Sequence, residues 1–375
     1  MRRFRSGFLP VFRTSGAPWR RAAGQCAGPP DPVRRPERMN PLPDSPWLAA
    51  LAAFALSLAA LGFLECGRDR LPQAHPTGRS LHSRPVSRVG GLAIWAGFVP
   101  VALMAPVPVP GGPVWLAAWA AVTAVSLVDD WRGVRPAARL AVHALASLAV
   151  AAAFLHGERA AWAWPGFFLA LGLTALALAW AANLFNFMDG SDGLAAVMAI
   201  CGFGAYGAAA LRAGAPAAPY FALTAAALPF LAVNLPPARM FLGDGGSIGL
   251  GFLAAVFGFS GVRAGTWPEW FPLLVFLPFI ADASVTVIRR IARGEHLFEA
   301  HKTHYYQRLH RMGAGHGGTL LFYGVLTFGT AASAVFTLAA GPAAGWRVLA
   351  AWVATIGVLF AGIDYQWRKR SPGLR

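Results

Sequence analysis

The chain alternates long apolar runs with short breaks rich in glycine, proline and charge. Apolar runs of roughly 17 to 25 residues are long enough to cross a ~30 Å hydrocarbon layer as helix. They fall near residues 47–64, 89–107, 112–128, 137–155, 162–182, 194–211, 217–235, 247–262, 269–288, 317–340 and 346–364. The period-two alternation of a membrane barrel is absent, and a run such as Ala141 to Leu155 leaves backbone groups that only helix satisfies inside lipid. The pattern predicts an all-α fold, a polytopic transmembrane bundle of about 10–11 helices with active-site loops at the cytoplasmic face. Short connections make residues 47–364 one transmembrane domain, followed by a basic tail over 365–375. No repeat of fixed period is present.

Composition agrees with lipid as the solvent. Of 375 residues 56% are hydrophobic and 13% charged, against about a quarter charged in soluble domains. Cys26, Cys66 and Cys201 lack the spacing of a zinc site or a disulfide framework. The net charge of +16 would point to nucleic acid in a soluble protein. Here the cations sit between spans, so no nucleic-acid partner is expected. The loops 65–88, 131–139, 183–193, 236–246, 289–316 and 365–375 carry 19 Lys and Arg, while the alternate loops carry only Arg159, Arg212, Arg263 and Arg347. Positive residues stay inside, so the first set is expected to face the cytoplasm, in a bacterial inner membrane. Residues 1–46 form a basic tail with nine arginines before Met39, on the side that this rule disfavours. Two readings stay open: translation begins at Met39, or the segment is a disordered basic tail. Gly7 to Phe12 is too short for a signal-peptide core.

The acids are unevenly placed. Asp129, Asp130, Asp189, Asp192, Asp244 and Asp282 lie in or beside helix ends on the expected cytoplasmic side. A carboxylate at membrane depth is costly unless paired, solvated or bound to a cation. Adjacent Asp129 and Asp130 stay ionised together if a cation such as Mg²⁺, or Arg132 and Arg135, offsets them; the alternative is a solvated helix end. The run Asn183-Leu-Phe-Asn186-Phe-Met-Asp189-Gly-Ser-Asp192-Gly193-Leu sets amides and acids at steps of three. Breaking the helix near Gly190 would let Asn183 and Asp192 converge, whereas a capping turn explains only one of the acids. In Phe241-Leu-Gly-Asp244-Gly-Gly-Ser247 a glycine turn opens a helix, where free N–H groups receive a phosphate while the acid holds its metal. An N-cap serine after flexible glycines has the same appearance.

Two basic loops suit phosphates. One holds Arg79, His82, Arg84 and Arg88 before Gly90-Gly91, and the other runs from Arg289 to His316 with His301-Lys302-Thr-His304-Tyr-Tyr306-Gln307-Arg308. Resting on acidic lipid would account for the second equally. His301 and His304 lack a third zinc ligand at suitable spacing. Asp282 is either a site residue or a counter-ion for Arg289. The small-residue spacing of Gly245 and Gly249 serves internal packing or a homodimer. No Gly-x-x-x-x-Gly-Lys-Ser/Thr loop is present.

Taken in order, these motifs resemble the polyprenyl-phosphate N-acetylhexosamine-1-phosphate transferase family over about residues 75 to 310. The resemblance implies a UDP-N-acetylhexosamine donor, undecaprenyl phosphate as acceptor, and Mg²⁺, with Mn²⁺ as a substitute. By resemblance, Asp244 is the principal metal ligand and Asn186 a nearby one. Asp129 and Asp130 form the catalytic pair, joined by Asp189, Asp192 and His304; Asn183, Arg79, His82, Arg88, His301, Lys302 and Arg308 are substrate contacts. Where the family has further histidines this chain has Tyr306 and Gln307, and Ala74 and Thr77 stand where many members have Asp and Asn. The His-x-x-His-x-Tyr-Gln-Arg form looks closer to the branch that initiates O-antigen, in lipopolysaccharide synthesis, than to phospho-N-acetylmuramyl-pentapeptide transferases. The rival class is an ion-coupled transporter, whose acids lie near the midplane.

Overall fold

The computed structural model describes residues 45–76, 81, 84–105, 109–157, 163–295 and 302–370. The expectations for the tail before residue 45, and for Arg79, His82 and His301, lie outside them. The long helices are α1 (Pro46–Cys66), α3 (Val114–Arg132), α4 (Pro136–Leu155), α5 (Trp164–Met188), α6 (Leu194–Arg212), α8 (Asp244–Arg263), α12 (Gly315–Thr337) and α13 (Pro342–Arg370). Two shorter ones are α2 (Gly90–Met104) and α7 (Ala218–Asn234), and three short pieces are α9 (Trp270–Val275), α10 (Leu277–Ala292) and α11 (Tyr305–Leu309). Eight helical runs among the described residues are long and apolar enough to cross a membrane. The chain is a multi-pass, all-α membrane protein.

Every apolar run of the sequence becomes helix, with one difference. The run 269–288 is split at Phe276 into α9 and α10. Pro278 has no N–H to give and its ring crowds the carbonyl one turn back, so the helix restarts there. In α10 the buried residues Phe279, Asp282, Ala283, Thr286 and Arg290 recur every three or four positions, while Ile288 and Ile291 are exposed. Such a helix presents one face to the bundle and the other to lipid.

The bundle centres on α8, which packs on α3 and α5 and is buried along most of its length. Close approach requires its glycines. A Cβ on Gly249 would lie 2.5 Å from the Trp95 ring and 2.8 Å from Thr123 Oγ1, and one on Gly245 would collide with Leu127. This pair therefore serves packing inside the bundle. The outer helices turn Phe168, Leu169, Leu173 and Leu176 of α5 outward, as a lipid-facing surface must.

At one end a two-stranded antiparallel ribbon, β1 (Gln73–Ala74) with β2 (Val86–Ser87), closes the first loop. Ser87 pairs onward to Met240, and Phe241 N–H donates to Ser87 O at 2.7 Å. The Gly90 and Gly91 N–H groups donate to Phe241 O and Leu242 O, both at 2.9 Å. This stitching holds the first loop against the turn that opens α8.

Candidate active site

The carboxylates gather because three of their helices begin or end at the same face of the bundle: α3 ends at Arg132, α5 at Met188, and α8 begins at Asp244. Gly133, at φ 71°, reverses the chain after α3, so the first turn of α4 faces back onto it. Arg139 of α4 consequently bridges two acids: its Nη1 donates to the Asp129 carboxylate and, at 3.0 Å, to Asp244 Oδ2. The Val134 N–H adds a 2.6 Å bond to Asp129 Oδ1. Arg132 and Arg135, expected to offset the acidic pair, are exposed. Arg139 and Arg88 do so instead, because the reversal at Gly133 turns α4 rather than the end of α3 toward the acids.

Asp130 is only 3% exposed and faces the other way. Its Oδ2 accepts the Gly245 N–H at 3.0 Å, so the carboxylate sits on the N-terminus of α8. Arg88 donates to the Asp130 carbonyl at 2.7 Å and lies 3.7 Å from its carboxylate. The N–H groups of Gly246 and Ser247 close on Gly243 O at 3.1 and 2.9 Å. The sequence reading of this turn, as open N–H groups awaiting phosphate, is thus corrected: the donors are taken within the protein. The Gly90 and Gly91 N–H groups are likewise taken, by Phe241 O and Leu242 O.

Asn186 and Asp244 come together. The Asn186 amide donates to Asp244 Oδ1 at 2.9 Å and to Ser247 Oγ at 3.2 Å. Asp189 follows one turn later, as the residue that caps α5. Burial, then the charges of Asp244, Asp130 and Asp192, push its carboxyl well above the ordinary carboxylate range. Asn183 does not join them, because α5 runs unbroken to Met188 and the Asn183 amide bonds Ala179 O at 2.7 Å in its own helix. Asp192 is tied to other loops: Oδ2 accepts the Ala238 N–H at 3.0 Å, and Oδ1 lies 3.4 Å from His316 Nδ1. Gly193, at φ 76°, donates its N–H to Asn234 Oδ1 at 2.8 Å and starts α6.

Asp282 is a structural hub. It accepts from the N–H groups of Tyr305 and Tyr306 at 2.9 and 3.0 Å and from Tyr323 Oη at 2.5 Å, with His304 Nδ1 at 3.2 Å. It caps α11 from a distance and fixes the His304 ring, which lies beside Tyr306. Arg289 pairs instead with Asp364 of α13 at 2.6 Å. Arg308 bonds the same carboxylate at 2.6 Å and is buried, so it is engaged with α13. Lys302 is half-buried. Tyr306 and Gln307 are integral to this end of the bundle: Tyr306 Oη donates to Phe187 O at 3.1 Å, and Gln307 Oε1 accepts the His304 N–H at 3.2 Å.

Comparison with known proteins places this geometry. Residues 113–261, which span α3 to α8, match the family described as glycosyl transferase family 4. Over 383 residues the chain is 28% identical to a Mycobacterium leprae protein named decaprenyl-phosphate N-acetylglucosaminephosphotransferase, covering 89% of each chain. It is 26% identical to a Bacillus subtilis protein named probable undecaprenyl-phosphate N-acetylglucosaminyl 1-phosphate transferase, over 69% of this chain and 75% of that one. Over residues 113–261 the chain is thus similar to glycosyl transferase family 4. A phospho-N-acetylmuramoyl-pentapeptide-transferase of Moorella thermoacetica is 41% identical, over 28% of this chain and 33% of the relative.

Within this site, sequence reasoning missed Arg139, Asn234, His316 and Asp364. Arg139 carries no local signal, because its partners are 10 and 105 residues away. Asp364 was passed over as part of a terminal apolar run, and only its Arg289 and Arg308 partners reveal it.

Proposed function

We propose that the protein transfers N-acetylhexosamine-1-phosphate from a UDP-sugar to a polyprenyl phosphate, undecaprenyl phosphate in the first instance, releasing UMP. The observation that carries the reading is the meeting of Asp129, Asn186 and Asp244 through Arg139 at one end of a membrane bundle. The similarity of relatives named for polyprenyl-phosphate acceptors, over most of the chain, supports it. The cluster faces the cytoplasm in this reading, where UDP-sugars are made. The reaction would begin a cell-envelope polysaccharide such as O-antigen. Only short stretches match the muramoyl-pentapeptide enzymes, which favours the amino-sugar reaction.

Mg²⁺ fits the chemistry of the donor set. Asp129, Asp189, Asp244 and Asn186 offer only hard oxygen ligands, and the guanidinium of Arg139 already stands between two of the acids as a cation would. Among the described residues no three acid, imidazole or thiol groups form a ready cage. Mg²⁺ takes one or two carboxylates and completes its shell with phosphate and water. When bound, Mg²⁺ would neutralise the donor diphosphate, with Asp244 and Asn186 holding it.

The protein's own contribution is positioning and charge. A lipid phosphate has a second pKa near 6, so it is largely dianionic at neutral pH and attacks without a base. One of its oxygens bonds the β-phosphorus of the UDP-sugar as the bond from that phosphorus to the bridging oxygen breaks, and UMP leaves. Arg139 and Lys302 lie at this end of the bundle to balance the anions. A covalent phosphosugar on Asp130 is disfavoured, since that carboxylate is buried against the Gly245 N–H. The test is UMP release by detergent-purified protein with a panel of UDP-N-acetylhexosamines, with and without undecaprenyl phosphate. Lipid-dependent release is expected from one donor or more; none from any donor by folded protein would reject the reading in favour of a transporter.

A further inference from the structure

His316 stands outside the acidic cluster, yet it joins three loops at the face where that cluster lies. Its Nδ1 lies 3.2 Å from the Asp192 N–H nitrogen and 3.2 Å from Ser191 Oγ, and its Nε2 lies 3.3 Å from Leu81 O. An N–H only donates and a carbonyl only accepts, so these two partners assign the neutral imidazole with its proton on Nε2. Asp192 Oδ1 lies 3.4 Å from Nδ1, and the ring bridges Asp192 to Leu81.

The backbone is bent to deliver it. Six residues separate His310 from His316, a rotation of about 600° in regular helix, which would set them on different faces. A kink over His310–Ala314, with Gly313 at φ 106° and Gly315 at φ 61°, brings the rings to 4.4 Å, edge to face. His310 thereby braces the His316 ring, and His316 braces the turn 189–193. That turn carries Asp189 on one side and, through Gly193 and Asn234, the start of α6 on the other.

We infer that His316 is a positioning residue for the transfer reaction: it clasps the Asp189–Gly193 turn to the first loop, so that the turn keeps its place beside Asp244 when the anionic donor enters. The inference rests on the proposed transferase function. It is separable from it, because the clasp is measurable without turnover.

The experiment compares wild type, His316→Ala and His316→Asn by hydrogen exchange of the peptide spanning 189–193, and by kcat and KM for the UDP-sugar. Asn sets an amide at the position of the imidazole Nδ1 and so restores the contact to Asp192 without the one to Leu81 O. In His316→Ala, exchange at 189–193 is expected to rise and kcat/KM to fall by roughly 10- to 100-fold, the effect of a misplaced reacting group. The melting temperature stays within about 3 °C of wild type, and His316→Asn, which holds the turn but not the first loop, recovers at most part of either loss; full recovery would overturn the bridge to Leu81. Unchanged exchange in His316→Ala would overturn the clasp. Raised exchange with kcat/KM within about twofold of wild type would overturn the positioning role, leaving a structural tie with no part in the reaction. Wild-type protein inactive with every donor would sink the transferase reading, and the exchange comparison would still decide whether the clasp exists.

Discussion

Two aspartates show how neighbours decide what a carboxylate does. Asp244 is bonded by Asn186 and Arg139 at the centre of the cluster, and it is the carboxylate that the proposed reading sets on the metal. Asp244→Asn keeps the shape and removes the charge. Lipid-dependent UMP release is expected to fall by roughly 10²- to 10³-fold, as on losing a principal electrostatic contact, with little change in thermal unfolding. Retention of more than a tenth of wild-type turnover would remove Asp244 from the centre of the mechanism. Asp282 is the opposite case. It is fully buried and accepts from two N–H groups and a tyrosine, beside the His304 ring. Asp282→Ala strands these donors, at about 1–3 kcal/mol each where buried. Detergent-solubilised protein should unfold several degrees lower, and an unaltered melting curve would contradict the hub. The glycines around Asp244 set it apart in the sequence, whereas Asp282 lies inside an apolar run that shows none of its partners.

Between elements, the close crossings of α8 set the geometry of the site. Gly249 admits the Trp95 ring and Thr123, which lets α3 bring Asp129 and Asp130 to the start of α8. Gly249→Ala overpacks this crossing and should cost about 1–3 kcal/mol. Gly172→Ala on the exposed side of α5 has nothing within 4 Å and should stay within about 0.5 kcal/mol of wild type. Equal melting temperatures for the two variants would show that α3 and α8 do not depend on the glycine. At the other end of the chain, α13 docks through Asp364 on Arg289 and Arg308, with the Tyr305 ring stacked 3.8 Å from that of Phe360. This joint fixes α11 and with it Tyr306, whose hydroxyl reaches Phe187 O, two residues before Asp189. A β-carbon on Gly190 would collide with that hydroxyl, which explains glycine at this position of the motif.

For the whole molecule the arginine asymmetry makes an orientation testable. Arg132 lies at the end of α3 that carries the acids, and Arg347 lies in the first turns of α13, many turns from the basic end Arg368–Arg370. With the native cysteines replaced, a cysteine at 132 should react with a membrane-impermeant maleimide only in inside-out vesicles, and one at 347 only in right-side-out vesicles. The reverse pattern would place the acidic cluster outside and deprive it of nucleotide sugars. Outward-facing Phe168, Leu169 and Leu173 of α5 show why the assembly is stable only in lipid or detergent.

Hydrophobic run length alone determined the helical class and the approximate ends of the long helices, because in lipid a backbone has few other ways to satisfy its hydrogen bonds. The Asn/Asp/Gly run and the Gly-Asp-Gly-Gly-Ser turn marked the site, since few structural roles require that density of acids and glycines. Only the tertiary structure decided the partners. It separated Asp129, facing Arg139, from Asp130, buried on α8; it turned Arg308 toward Asp364; and it brought His316 to Asp192. A side chain's partner depends on helix rotation and on chain reversals such as those at Gly133 and Gly315, and residues far apart in sequence leave no local trace of meeting.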